Sequence, residues 1–403
     1  MNKETEAFIR QHADDDVRQV ALLGAKSPAV DLTFALNQIA GRQAARRKLP
    51  SWAATEGIVY PPHLSMEQCS SEPTARYKQQ VVHRLLPVCE SLVDLTGGFG
   101  VDFSFMAQGA RRAVYVEREA HLCAIAKENF RLLGLEQAEV VCADGADYLE
   151  QMEPASIVYL DPARRDSHGG RTYGIGDCTP DVLALRDLLL LKAGHVLLKL
   201  SPMLDWRKAV IDLGAPYVSQ VHIVSVHNEC KELLILLRPL PTRPLPTSPT
   251  GEGQLVCVND NQVFETTLSP TNKSLLPYRG GWEGSAFLYE PNASIMKAGC
   301  FAELSQRFGV APIARNSHLF VAADRIDSFP GRIFRIDAVT SLNKRELKRH
   351  LQGLAQANIT VRNFPLSVAE LRKRLKLSEG GSTYIFATTL ADGDKVLLIC
   401  SRA

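Results

Sequence analysis

The stretch Leu92-Val93-Asp94-Leu95-Thr96-Gly97-Gly98-Phe99-Gly100-Val101-Asp102 constrains this chain more than any other. An apolar run of strand type stops at an acid and passes through a turn with three glycines. It leaves on Val101-Asp102-Phe103-Ser104-Phe105-Met106-Ala107, which reads as a helix. Glycine lets a backbone approach a ligand closely, and a helix start presents unpaired N–H groups, so the combination suits a nucleotide-like ligand. The spacing argues against a dinucleotide, which wants G-x-G-x-x-G. Counting from Gly97 puts Phe99 at the second glycine, and counting from Gly98 reaches Gly100 but then Phe103. A plain glycine turn in any α/β protein is the alternative, and the stretch alone does not decide between them.

The 403 residues can hold two or three domains and a large core, and 45% hydrophobic with 22% charged residues is ordinary globular composition. A net charge of +2 forces no partner, so any nucleic-acid argument must rest on local patches. Nine cysteines are scattered without a C-x-x-C pair, which offers neither a zinc site nor a disulfide framework. The opening Met1-Asn2-Lys3-Glu4-Thr5-Glu6 lacks a signal-peptide pattern. The longest apolar candidate, Val182 to Leu200, is broken by Arg186, Asp187 and Lys192. A cytoplasmic protein with no membrane span and no metal is expected.

Residues 1–80 read as an N-terminal helical region, with apolar residues at helical spacing and a helix beginning at Ser71-Glu72-Pro73 that carries Tyr77 and Lys78. Residues 81–240 alternate strand and helix, which implies a parallel sheet. The strands fall at Leu92–Leu95, Val114–Val116, Val140–Cys142, Ile157–Leu160 and Val196–Leu200, with helices clearest at Ala120–Leu132 and Asp181–Leu191. Val218–Val226 and Glu232–Leu237 close together as an antiparallel hairpin. Residues 241–285 form a proline-rich linker followed by a hairpin. A small α/β (ferredoxin-like) segment follows over 286–330, with a helix near Ile295–Phe308. A second α/β domain occupies 331–403, with helices at Lys344–Leu354 and Val368–Leu375.

Acids stand at the ends of successive strands. Asp94 ends the first, where it suits a cationic ligand. Glu117 ends the second, about twenty residues past the glycines, where an acid can take both ribose hydroxyls. Asp144 in Ala143-Asp144-Gly145 ends the third, and Asp161-Pro162 ends the fourth. Ligands of open α/β sheets bind outside the carboxyl ends of the strands, at the switch point in strand order. Each acid alone reads as well as a helix cap or a turn residue. Together they read as a site.

The pattern D-x-x-G-G-x-G at Asp94–Gly100 resembles motif I of the class I S-adenosylmethionine (SAM) dependent methyltransferases, and five parallel strands closed by an antiparallel hairpin resemble their sheet. Asp94–Asp102, Val116-Glu117-Arg118 and Val158-Tyr159-Leu160-Asp161-Pro162 are similar to bacterial rRNA guanine-N2 methyltransferases. The whole chain resembles methyltransferases that carry a C-terminal THUMP-like domain, here about 331–403. The resemblance implies a Rossmann-like methyltransferase fold with SAM as cofactor. Asp94 would hold its methionine portion, Glu117 the ribose and Asp144 the adenine, with Thr96, Gly97, Gly98, Gly100, Arg118 and Gly145 also binding the cofactor. Asp161 and Pro162 would carry catalysis by orienting the acceptor. THUMP domains bind RNA, so an rRNA or tRNA partner is implied, with methylation at a base nitrogen. One departure is that Ala163 replaces the second proline of the usual Asp/Asn-Pro-Pro-aromatic motif and Arg164 stands where a base-stacking ring is expected.

The candidate RNA contacts are Arg164 and Arg165, with Arg171 nearby, then Lys344, Arg345, Lys348 and Arg349 on one helix and Arg372 and Lys373 on another. Solvated basic faces are the alternative. Two other functions stay open: a non-catalytic RNA-binding protein that retains a SAM pocket, and a small-molecule or protein methyltransferase.

Overall fold

The computed structural model describes residues 2–24, 27–164, 174–240, 253–268 and 286–403. Arg165, Arg171 and the proline-rich stretch 241–249 lie outside them. The chain divides into two compact units, Met1–Val221 with Lys231–Gly251, and His222–Cys230 with Glu252–Ala403. No helix among the described residues is long and apolar enough to cross a membrane.

The first unit is a twisted sheet with helices. Its long strands are β1 (Cys89–Asp94), β2 (Ala110–Glu117), β3 (Ala138–Cys142), β4 (Ala155–Leu160), β5 (Ala193–Leu200), β6 (Val218–Val226) and β7 (Glu229–Leu237). The tip of the β6–β7 hairpin, His222–Cys230, groups with the second unit. Among these seven strands the order runs β6-β7-β5-β4-β1-β2-β3. β1 pairs in parallel with both β2 and β4, β4 pairs in parallel with β5, and β7 runs antiparallel to β5. The Ala120–Leu132 helix connects β2 to β3. The chain therefore reverses its direction of travel across the sheet between β1 and β4, which places the switch point beside the glycine turn.

The N-terminal helices share the core of this sheet. Leu32–Lys48 and Pro50–Ala54 bring Ala45, Leu49 and Trp52 against Phe99, Val101 and Phe105. The Trp52 ring meets Phe99 edge-on at 4.9 Å. Phe99 is the one bulky residue of the glycine turn, so the turn is anchored from outside the sheet.

The second unit holds a hairpin, Gln254–Asn259 with Gln262–Thr267, and a separate seven-stranded sheet spanning 287–402. In that sheet Phe287–Pro291 pairs antiparallel with Gly331–Thr340, which pairs with Lys395–Arg402. Alternating residues bury both faces of the sheet. Phe386 and Leu398 enter one core with Leu288 and Phe334, while Ile385 and Leu397 enter another with Ile359 and Leu371. Glu290, nearly fully buried, accepts from Arg332 and from Arg362 Nη2 at 3.0 Å, which ties Phe287–Pro291 to two strands beyond residue 330. The expected single helix near Ile295–Phe308 is two, Ala293–Ala298 and Phe301–Phe308. Gly299 in the left-handed region (φ +67°) ends the first, as glycine does at helix C-termini.

Candidate active site

The turn after β1 is held by its own acids. Asp94 lies opposite Tyr115 on β2 and Tyr159 on β4, and it is buried. Its Oδ1 accepts from the Thr96 N–H at 2.9 Å and from the Thr96 hydroxyl at 3.3 Å. Burial raises its pKa well above the ordinary value, with hydrogen bonds from Thr96 opposing and the charges of Asp102 and Asp161 reinforcing the rise. Thr96 Oγ1 in turn accepts from the Asp161 N–H at 2.7 Å, which joins the ends of β1 and β4.

Gly98 and Gly100 take positive φ of +55° and +84°, a conformation that disfavours other residues. The Gly98 N–H donates to Glu117 Oε2 at 2.8 Å, while Glu117 Oε1 accepts from the Glu119 N–H at 2.9 Å. Gly97 donates to the Val116 carbonyl at 2.9 Å. A Cβ on Gly98 would meet only the Thr96 carbonyl, at 3.8 Å, so that face of the turn is open. An open glycine face beside a part-exposed carboxylate fits the adenosyl sulfonium that the sequence implies.

Asp144 is exposed and caps the Gly145–Gln151 helix, accepting from Ala146 N–H at 2.8 Å and Asp147 N–H at 3.4 Å. Any Cβ at Gly145 would overlap the Leu95 carbonyl, so glycine there brings Asp144 close to the turn. Asp94, Thr96, Gly97, Gly98, Gly100, Glu117, Asp144, Gly145 and Asp161 are thus grouped around one end of the sheet. Arg118 stands apart, with its side chain 66% exposed and 3.7 Å from Glu119. Pro162 is buried, and Arg164 lies on a two-residue strand paired with Cys178–Thr179.

What the sequence reading missed is behind Asp161. Its Oδ2 accepts from Lys199 Nζ of β5 at 2.5 Å, and the same ammonium lies 3.7 Å from Asp102 Oδ2. Asp102, in the first turn of the Val101–Met106 helix, also accepts from Ser70 Oγ and the Tyr159 hydroxyl, each at 2.8 Å. Its Oδ1 faces Lys78 Nζ at 3.2 Å. Lys78 then donates to both oxygens of Glu232 on β7, at 2.6 and 2.7 Å. Five charged groups therefore run in alternation from the interior to the mouth of the site: Glu232, Lys78, Asp102, Lys199, Asp161. Lys78, Glu232 and Asp102 are buried, while the side chains of Lys199 and Asp161 are 14% and 39% exposed.

The electrostatics follow from that order. Burial works against the Asp102 anion, but Lys78, Lys199 and the two hydroxyl donors bring its carboxyl down to about 2. Burial likewise works against the Lys199 cation, yet the charges of Asp161, Asp102 and Glu232 raise its pKa above the ordinary lysine value. Glu232, at the dry end, is raised by burial despite Lys78. The signal for these groups was present in the sequence: Lys199 interrupts Val196-Leu197-Leu198-Lys199-Leu200, and Glu232 adjoins Leu233-Leu234-Ile235. A charge inside an apolar strand must find a partner.

In the second unit Lys344, Arg345, Lys348 and Arg349 are exposed along the Lys344–Leu351 helix. Lys373 is exposed on Val368–Leu375. Arg372 is mostly covered; it donates to the Ala357 carbonyl at 3.2 Å and lies 3.7 Å from Glu379, which removes it from the exposed basic set.

Comparison with known proteins gives two kinds of match. Residues 331–402 match a THUMP domain-like family, and 287–330 match a ferredoxin-like domain. The crystal structure of a methyltransferase candidate from Porphyromonas gingivalis W83 is 31% identical, covering 98% of this chain and 97% of that one, with a TM-score of 0.84. An rRNA methylase from Streptococcus thermophilus is 16% identical over 43% of this chain and 99% of that one, with a TM-score of 0.33. An RNA methyltransferase candidate from Pyrococcus horikoshii is 13% identical over 51% and 98%, at 0.36. At such scores these two add nothing to the whole-chain match. No curated protein matches the sequence.

Proposed function

Because this chain belongs to the class I SAM-dependent methyltransferases with a C-terminal THUMP-like domain, we propose that it methylates RNA, with rRNA or tRNA as substrate. The observation that carries the reading is one chain holding both the strand-end acid set around an open glycine turn and the THUMP-like segment at 331–402. SAM supplies an electrophilic methyl group on a sulfonium. Glu117 would hold the ribose, Asp94 and Thr96 the shape of the turn beneath the methionine portion, and Asp144 the adenine. Asp161 would face the acceptor, because its strand lies on the far side of β1 from β2. Methyl transfer is an in-line displacement, so positioning supplies most of the acceleration.

A base-nitrogen acceptor, expected from the resemblance, would place its exocyclic amine against the main-chain carbonyls after Asp161. Lys199 against the Asp161 carboxylate favours a second reading, an acceptor that gives up its proton from oxygen. Nucleoside mass spectrometry of rRNA and tRNA from cells with and without the protein tests the RNA assignment. One methylated nucleoside should be missing without it, and an unchanged nucleoside profile would refute the RNA reading.

Cofactor contact is checked at Glu117. Glu117→Ala is expected to weaken SAM binding by about 1–3 kcal/mol, as for hydrogen bonds to a charged group, with calorimetry as the readout. Full-strength binding would overturn the ribose role. RNA contact is checked on the Lys344–Leu351 helix. Changing Lys344, Arg345, Lys348 and Arg349 together to glutamine is expected to reduce the salt dependence of RNA affinity by about 0.7–0.9 in log–log slope for each phosphate no longer neutralised. A slope identical to the parent's would remove this helix from the RNA interface.

A further inference from the structure

Holding and orienting a methyl donor does not call for the charge chain behind Asp161, and its makeup bears on the acceptor. When an amine attacks a sulfonium methyl, the nitrogen gains positive charge, and an ammonium beside it opposes the reaction. When a hydroxyl attacks, its oxygen gives up a proton and carries negative charge, which a fixed ammonium stabilises in a site shielded from water. Lys199 is such an ammonium. It is held 2.5 Å from Asp161 at the end of β4 and 3.7 Å from Asp102. Lys199 and Asp161 are also the members of the chain that reach solvent, so they are the ones a substrate can touch. Within an RNA strand the available hydroxyl is the ribose 2′-OH.

We propose that the methyl acceptor is a ribose 2′-hydroxyl of RNA, with Lys199 stabilising its oxygen and Asp161 receiving its proton; this rests on the RNA methyltransferase reading above. The hydroxyl oxygen forms the new O–CH3 bond while the methyl–sulfur bond breaks, its electron pair remaining on sulfur and cancelling the sulfonium charge. The O–H proton passes to the Asp161 carboxylate and from there to water. Lys199, protonated, has no lone pair with which to act as the base. Behind them Asp102, Lys78 and Glu232 act as positioning residues. Arg164, in place of an aromatic ring, agrees with an acceptor that need not be a flipped and stacked base.

The test uses the full-length protein, SAM labelled in its methyl group, and rRNA, ribosomal subunits and tRNA from cells lacking the gene. The labelled RNA is digested with alkali, which cleaves through the free 2′-hydroxyl. Label in alkali-resistant dinucleotides is the expected result. Label in mononucleotides would overturn the hydroxyl acceptor while upholding RNA methylation, and no label in RNA would overturn both. Lys199→Met is expected to slow transfer by about 10²–10³-fold, as for loss of one charge-stabilising donor, with SAM affinity and melting temperature close to those of the parent protein. Lys199→Arg should recover part of the rate. A normal rate in Lys199→Met, or a lost rate that tracks a lowered melting temperature and is equally lost in Lys199→Arg, would make Lys199 a structural residue and defeat the proposal.

Discussion

Replacing Asp161 by alanine is expected to leave SAM affinity nearly intact while single-turnover methyl transfer falls by at least about a hundredfold. The carboxylate lies at the end of β4, across β1 from the strand that carries Glu117, so it takes no part in the expected ribose contact. Its backbone N–H, which donates to Thr96, survives the substitution, so the link between the ends of β1 and β4 persists. What disappears is the near partner of Lys199, whose ammonium is left with the more distant Asp102 among the described residues. Calorimetry for SAM, a melting curve and a rapid-quench assay separate the possibilities. A variant that folds, binds SAM and transfers methyl at the normal rate would reduce Asp161 to a strand-ending turn residue.

The second large effect is on stability. Lys78→Met is expected to cost about 3–5 kcal/mol, because it strands Glu232 and leaves Asp102 with Lys199 as its remaining cation in the dry part of the first unit. Removing both ends of the innermost pair should be far milder. Lys78→Met with Glu232→Leu takes out the ammonium and its bidentate carboxylate together, and apolar replacement of a buried ion pair is often neutral. Urea unfolding followed by tryptophan fluorescence in a Trp282→Phe background reports on this unit, since the two remaining tryptophans, Trp52 and Trp206, are both buried in it. A single variant that loses less than about 1 kcal/mol would mean that water reaches the Lys78–Glu232 pair in solution.

The alternation of apolar runs with amphipathic stretches made most of the first unit legible. The Ala120–Leu132 and Val368–Leu375 helices have the bounds expected from the sequence, and the β6–β7 hairpin joins the parallel strands antiparallel through β7 as expected. The helix bounds and the hairpin turn are local, set by periodicity and by turn residues. The strand-end acids were also legible, because a fixed fold places every strand end on one side. The pairing of Lys78, Asp102, Lys199 and Glu232 was not. Lys78 and Glu232 are 154 residues apart, and their pairing follows from the Glu72–Leu85 helix and β7 being folded against one sheet, which no local pattern encodes. The break at Gly299 was missed for a smaller reason: apolar spacing continues across it, and only the glycine marks the change of direction.

The pairing of Phe287–Pro291 with Gly331–Thr340 bears on how the C-terminal part of this chain can be inherited. The two family segments meet at residues 330 and 331, yet that boundary runs through a hydrogen-bonded ladder and beside the buried Glu290 with its two arginines. A gene rearrangement cutting there would give each half an unpaired strand edge, an aggregation hazard, and would leave Glu290 charged without its cations. Recombination should therefore move 287–402 as one block, and a chain carrying either segment alone would need a new strand to cover the edge.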